Sequence, residues 1–303
     1  MTPHRHCLNP LVLLLLTPLL SWPVAAAEAT GTTEATDTIE TAVMVEKPLW
    51  ELGLGAGALV QPHYPGSSQH QARGLGLPYV VYRGDVLRIG DGQAARAVAA
   101  ESSFYELSLS FAAAFDADSD GNELREGMPD LDFIFEVGPQ LVFSLADFEY
   151  SDTSYSEVEL SLQARAALST DFSSVDHHGY VFEPMLRYRH YGLFAPQLEG
   201  SISIRPVWAT RDVHGYFYDV ESAFVNASRP EYQAVSGYFG TGVNFSGTWH
   251  INDKARLFAG VQTSFHHGAE NRDSPLFEDD FTVGLAVGFI WSLIESERTV
   301  MRP

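Results

Sequence analysis

The sequence predicts an all-β fold: a transmembrane antiparallel up-and-down β-barrel of about twelve strands in a bacterial outer membrane. Three observations predict it. Beyond a leader, apolar and polar residues alternate with a period of two along most of the chain, the pattern of strands with two unlike faces. The alternating segments run to lengths close to the roughly 9 to 11 residues that a tilted strand needs to cross a bilayer, and no run past the leader reaches the roughly 18 apolar residues of a spanning helix. Aromatic residues, among them Trp50, Tyr79, Tyr105, Tyr180, Tyr188, Trp208, Trp249 and Trp291, close many of the apolar faces, as side chains at the lipid headgroup level do.

The leader comes first. His4, Arg5 and His6 precede the apolar stretch Leu8 to Leu20, and Ala25, Ala26 and Ala27 follow; this is the pattern of a cleaved secretory signal peptide over residues 1–27. Cleavage leaves 303 − 27 = 276 residues with a net charge of 17 − 39 = −22, because Arg5 leaves with the leader. Cys7 leaves too, so the mature chain offers no disulfide, thiolate metal site or thiol nucleophile. Cys7 also precedes the apolar stretch, which excludes a lipoprotein anchor. The acidic excess excludes a broad nucleic-acid-binding face, which needs basic patches. Residues 28–49 are rich in Thr, Ala and Glu without a sustained period, and are expected to form a flexible periplasmic tail.

The barrel is expected over residues 50–292, with strands near 50–60, 73–82, 86–90, 93–98, 103–114, 131–144, 157–169, 179–190, 197–209, 236–249, 254–266 and 281–292. The clearest segment puts Val158, Leu160, Leu162, Ala164, Ala166 and Leu168 on one face and Glu157, Glu159, Ser161, Gln163 and Arg165 on the other. Elsewhere the expected lipid face includes Leu131, Phe133 and Phe135, then Phe239, Val243 and Phe245, and finally Val283, Leu285 and Val287. An even strand number puts both ends and the short Ile251-Asn252-Asp253 turn on the periplasmic side, with 115–130, 210–235 and 267–280 outside. Residues 293–303 form a periplasmic extension behind Phe289 and Trp291, where outer-membrane strands commonly end the chain.

Several short motifs add up to a family. The chain resembles the MipA/OmpV outer-membrane proteins through Gly53-Leu54-Gly55-Ala56-Gly57, Pro62-His63-Tyr64-Pro65-Gly66-Ser67, Leu77-Pro78-Tyr79 and Tyr82-Arg83-Gly84-Asp85. Further along come Gly127-Met128-Pro129-Asp130-Leu131, Glu136-Val137-Gly138-Pro139, Gly215-Tyr216-Phe217-Tyr218, Arg229-Pro230-Glu231-Tyr232 and Asp273-Ser274-Pro275-Leu276. The resemblance implies an outer-membrane barrel and a scaffold that brings a lytic transglycosylase together with a bifunctional murein synthase; other members are described as porin-like or adhesive. No catalysis and no cofactor are expected, and outer-membrane lipid and lipopolysaccharide are the expected surroundings.

Candidate sites can be weighed against that expectation. Glu106, Asp132, Glu136, Glu157, Glu159, Arg165, Glu183, Arg187, Arg189, Glu199, Arg205, Lys254 and Arg256 fall on the inward face. They would line a selective pore or, as expected for a barrel of this size, pair with one another and fill it. Asp116, Asp118, Asp120 and Gly121 have the opening spacing of a calcium loop, but its bidentate Glu is missing: position twelve is Gly127. Ser67 or Ser68 with His63 or His70, and Ser264 with His266, offer nucleophile and base, yet no spacing fixes a third orienting group. His177-His178 and His266-His267 are adjacent, and on a strand such neighbours point to opposite faces, unsuited to one metal. Arg83-Gly84-Asp85 falls in a periplasmic turn, out of reach of a host receptor. Pro230, Glu231 and Tyr232 lie in the longest loop and are expected to act as a lid or a partner contact.

Overall fold

The computed structural model describes residues 45–302 except 86, 90–94, 103, 115 and 172. The leader and residues 28–44 lie outside the described residues. Twelve strands close into one antiparallel barrel: β2 (Trp50–Pro62), β3 (His70–Arg83), β4 (Leu87–Ile89), β5 (Ala95–Glu101), β6 (Tyr105–Ala114), β7 (Phe133–Ser151), β8 (Ser154–Thr170), β9 (Val175–Tyr191), β10 (Leu198–Ala209), β11 (Gly237–His250), β12 (Ala255–Phe265) and β13 (Phe281–Glu295). Each pairs with its sequence neighbours and β13 closes on β2, with Trp291 opposite Leu54 and Leu285 opposite Val60. The up-and-down order and the strand number are those the alternation predicts. Closure matters physically, because lipid offers no partner to an unpaired backbone edge.

The last residues of the expected flexible tail pair with the C-terminal extension. β1 (Val45–Pro48) pairs antiparallel with β14 (Thr299–Arg302), Pro48 opposite Thr299. The Leu49 amide donates to the Arg298 carbonyl at 2.8 Å and the Ser296 amide to the Trp50 carbonyl at 3.0 Å, which carries the pairing into the barrel. The composition of 28–49 hid this, because a short strand that clasps the other terminus needs no period of its own.

Outward residues form an apolar belt. Leu54, Phe245, Leu285 and Val287 are about half exposed, far more than a water-soluble wall of this extent tolerates. No described helix is long and apolar enough to cross a membrane, so the crossing belongs to the strands. Trp50, Tyr82, Tyr105, Tyr188, Trp249 and Trp291 lie toward the strand ends nearest β1 and β14, while Tyr180, Trp208 and Tyr238 lie toward the opposite ends.

Four assignments of facing change. A register shift beside Val207 and Trp208 leaves Phe239 as an extra residue, with Gly240 opposite Val207 and Tyr238 opposite Trp208. Phe239 therefore points inward, 4.7 Å from the His214 ring, although its period matches that of lipid-facing Val243. A bulge changes the phase of a strand without changing its composition. Tyr79 also faces the lumen, beneath the Arg256 guanidinium. Leu131 precedes β7 and is buried against the outer loops, bridged to Ala117. Lys254 is exposed in the turn before β12 instead of lining the lumen.

Candidate functional site: the capped lumen

The barrel mouth remote from β1 and β14 is roofed by four loops, 63–69, 116–132, 210–236 and 266–280. The third carries a short helix, α1 (Arg211–Tyr218), that starts directly after β10. Tyr64, Ala117, Leu131, Tyr218 and Ala234 form a buried core within this roof, flanked by Tyr216, Phe217, Tyr232, Phe239 and Phe277. Aromatic residues in loops are costly to leave in water, so burying them against one another is what orders the loops.

Hydrogen bonds then fix the loops in register. The Tyr64 hydroxyl donates to the Leu276 carbonyl at 2.7 Å, and the Tyr218 hydroxyl to the Pro65 carbonyl at 2.8 Å. Ser274 donates to the Tyr218 carbonyl at 2.8 Å. Arg125 reaches the carbonyls of Phe217 and Pro129, and Arg229 those of Leu124, Glu126 and Phe224. Asn122 meets both His63 and Ser67, and Asn271 meets His214 and accepts from Tyr232. Gly66, with φ of 81°, packs where a Cβ would stand 2.5 Å from the Phe277 ring, so that position requires glycine.

Burial sets the protonation states of this roof. It pushes Tyr64 up to about 12 and drives Tyr218 and Tyr216 further up, so all three stay neutral donors. It also lowers His63, His214 and His266 below the ordinary imidazole value, so the three rings are neutral near pH 7.

The motif residues scattered through the sequence meet in this roof. Tyr64, Gly66, Ser67, Gly127, Met128, Arg229, Tyr232, Asp273, Ser274 and Pro275 all belong to it, Pro62 ends the strand beneath it, and Pro230 is its exposed edge. A second group sits at the opposite end, beside β1 and β14. Arg83 is buried, 2.6 Å from Glu51, and donates to the Pro48 carbonyl, with Tyr82 on the outer wall opposite Trp50 and Gly84 and Asp85 in the following turn. The Arg83-Gly84-Asp85 arginine is thus an internal strut. Gly138 and Pro139 lie in the wall of β7, where a Cβ on Gly138 would meet the Ala164 carbonyl at 2.0 Å.

Below the roof most of the inward charges pair with one another. Arg165 lies 2.7 Å from Glu136 and 3.5 Å from Glu183. Arg187 faces Glu159 at 3.6 Å, and Arg189 faces Glu157 and Glu199 at 3.8 and 3.5 Å. Arg88 holds Glu106 at 3.0 Å, and Glu51 receives Arg83, Arg256 and the Ser292 hydroxyl. Between the roof and the Arg165 cluster lies a cavity of about 640 Å³. Its walls include Leu59, Ile134, Val181, Phe217, Phe239 and Arg205.

The other candidates are dispersed. Asp116 pairs with Arg73 at 3.0 Å and Asp118 accepts from the Asp120 amide, and among the described residues no group of three His, Cys, Asp or Glu is placed to hold a metal. The Ser67 hydroxyl and the His63 ring each bond Asn122 instead of each other, His70 bonds the carbonyls of Ser68 and Val283, and His266 bonds the Phe239 carbonyl. One serine–histidine contact that spacing did not suggest is Ser169 to His178, 2.8 Å across the β8–β9 hairpin. Among the described residues no carboxylate bonds the other ring nitrogen, so the arrangement lacks the orienting group of a triad. His178 instead packs on Tyr216, away from its neighbour His177.

The family model described as MltA-interacting protein MipA matches residues 54–293, nearly the whole barrel. The chain belongs to the MipA family. It is an outer-membrane β-barrel. Among solved structures it is similar to an outer-membrane channel from Pseudomonas putida F1, at 9% identity and TM-score 0.38, over 80% of this chain and 96% of that one. It is also similar to Pseudomonas putida OprB in its high-pH structure, at 9% identity and TM-score 0.35, over 80% and 94% of the two chains. No curated protein matches this chain.

Proposed function

We propose that this protein is a non-catalytic, non-conducting outer-membrane scaffold that anchors murein-synthesising and lytic transglycosylase enzymes on the periplasmic side, after export and removal of residues 1–27. The observation that carries the reading is the interlocked roof over one mouth with ion-paired side chains across much of the interior beneath it, which supports an anchor over an open channel. The family description, which names an interaction with MltA, supports a transglycosylase partner. Lipid contacts the apolar belt, and lipopolysaccharide is the expected neighbour of the loops.

Two measurements test this together. Purified barrel in planar bilayers should give no conductance steps, and crosslinked pull-down of the tagged mature protein from outer membranes should recover a lytic transglycosylase and a murein synthase. Steady single-channel steps from the intact barrel, with neither enzyme recovered, would replace the scaffold by a narrow porin-like channel. Binding of whole cells to host surfaces only when the protein is present would favour an adhesin. Altered lipid A on expression would favour a lipid-modifying enzyme.

A further inference from the structure

We propose that the cavity beneath the roof binds a small organic monocarboxylate with an apolar body, and that Arg205 is the residue that receives the carboxylate. This does not rest on the scaffold reading.

The lumen's other arginines show what is unusual about Arg205. Arg83, Arg88, Arg165, Arg187, Arg189 and Arg256 each face at least one carboxylate. Arg205, inward on β10, has no carboxylate within salt-bridge distance and no hydrogen-bond partner among the described residues. The two carboxylates on the same cavity wall, Glu136 and Glu183, are turned to Arg165 instead. Asp132, the third acid of the lining, sits at the roof. A guanidinium held inside a barrel without an anion leaves its donor fork unused, and a carboxylate is the group that fits this fork with two parallel bonds.

The surroundings leave room for such a ligand. Gly242 stands opposite Arg205 across the β10–β11 pairing, and a Cβ there would lie 2.8 Å from Arg205 Nε. Gly260, Gly284 and Ala286 continue that wall with almost no side chain. The remaining lining is largely apolar, through Leu59, Ile134, Val181, Val207, Phe217 and Phe239. At about 640 Å³, the cavity falls within the roughly 300 to 1,000 Å³ typical of small-molecule sites that combine apolar walls with a few placed polar groups.

The test uses the full mature barrel refolded into nanodiscs of zwitterionic lipid, with 4-phenylbutyrate, benzoate and decanoate as probes and 4-phenylbutyramide as the neutral control. Saturation-transfer NMR and calorimetry read binding, with empty nanodiscs subtracted, and heat-shifted gel mobility confirms folding of each variant. At least one carboxylate should bind, the neutral amide at least about tenfold more weakly, and Arg205→Gln should remove that preference. A second variant, Val207→Trp, fills the cavity while keeping the guanidinium and should abolish binding, so the question stays answerable if Arg205→Gln does not refold. The proposal is overturned if none of the three carboxylates binds, if the amide binds as well as the acid, or if folded Arg205→Gln or Val207→Trp binds like the parent.

Discussion

Replacing Arg229 by methionine asks whether the roof is one cooperative unit. The guanidinium is buried and donates to three main-chain carbonyls: Leu124 at 2.6 Å, Phe224 at 2.9 Å and Glu126 at 3.1 Å. It therefore pins the 116–132 loop to the 210–236 loop, and methionine keeps much of the apolar stem while removing every donor. Hydrogen bonds from a charged group contribute about 1.5 to 3 kcal/mol each, or roughly 5 to 9 kcal/mol for three. Water reaching the freed carbonyls at the rim recovers about half, which leaves roughly 3 to 4 kcal/mol of lost local stability. Opening of the roof should then become roughly a hundred- to a thousandfold more frequent. Hydrogen exchange followed by mass spectrometry should show faster exchange over 119–131 and 222–232, with the amides of β8 and β9 unchanged. Unchanged protection in both loops would refute the argument, and so would an equal loss throughout the strands, since that would make Arg229 a support of the whole barrel.

Three further outcomes are expected. Leu162→Arg should impair membrane assembly much more than Gln163→Arg, because a lipid-facing arginine at mid-membrane costs about 2 to 4 kcal/mol and a lumen-facing one much less; equal yields of heat-shifted barrel would overturn the facing of β8. Arg165→Met leaves Glu136 and Glu183 without their shared cation, a loss of about 3 to 5 kcal/mol for a broken buried pair, and adding Glu136→Gln and Glu183→Gln should restore much of the thermal midpoint. The roof should loosen in acid: burial lowers His63, His214 and His266, so the opened roof takes up protons more readily than the closed one. The stabilisation from neutral rings is then full above about pH 6.5 and is lost as pH falls from there toward the depressed values. Hydrogen exchange of the roof loops, corrected for intrinsic rates, should be faster at pH 5 than at pH 7.5; indifference to pH would show that the rings do not titrate with opening.

The sequence by itself determined the wall. A strand's side chains alternate at a fixed period of two, so Val158 to Leu168 announce their facing wherever the strand goes, and lipid on one side keeps that signal strong. The number of strands and their order followed. Only the tertiary structure decided the roof, the clasp of the two chain ends and the state of Arg205. Loops carry no period, so nothing in the spacing of Tyr64, Asn122, Arg229 and Asn271 says that they meet; their contacts span dozens of residues and exist only after the barrel brings the strand tips together. Phe239 shows the limit from the other side, since one extra residue at a bulge reversed its face while leaving the pattern intact. Arg205 reads in sequence like any other inward arginine, and what sets it apart is that no acid among the described residues stands within ion-pair reach, a property of three-dimensional register that no one-dimensional pattern encodes.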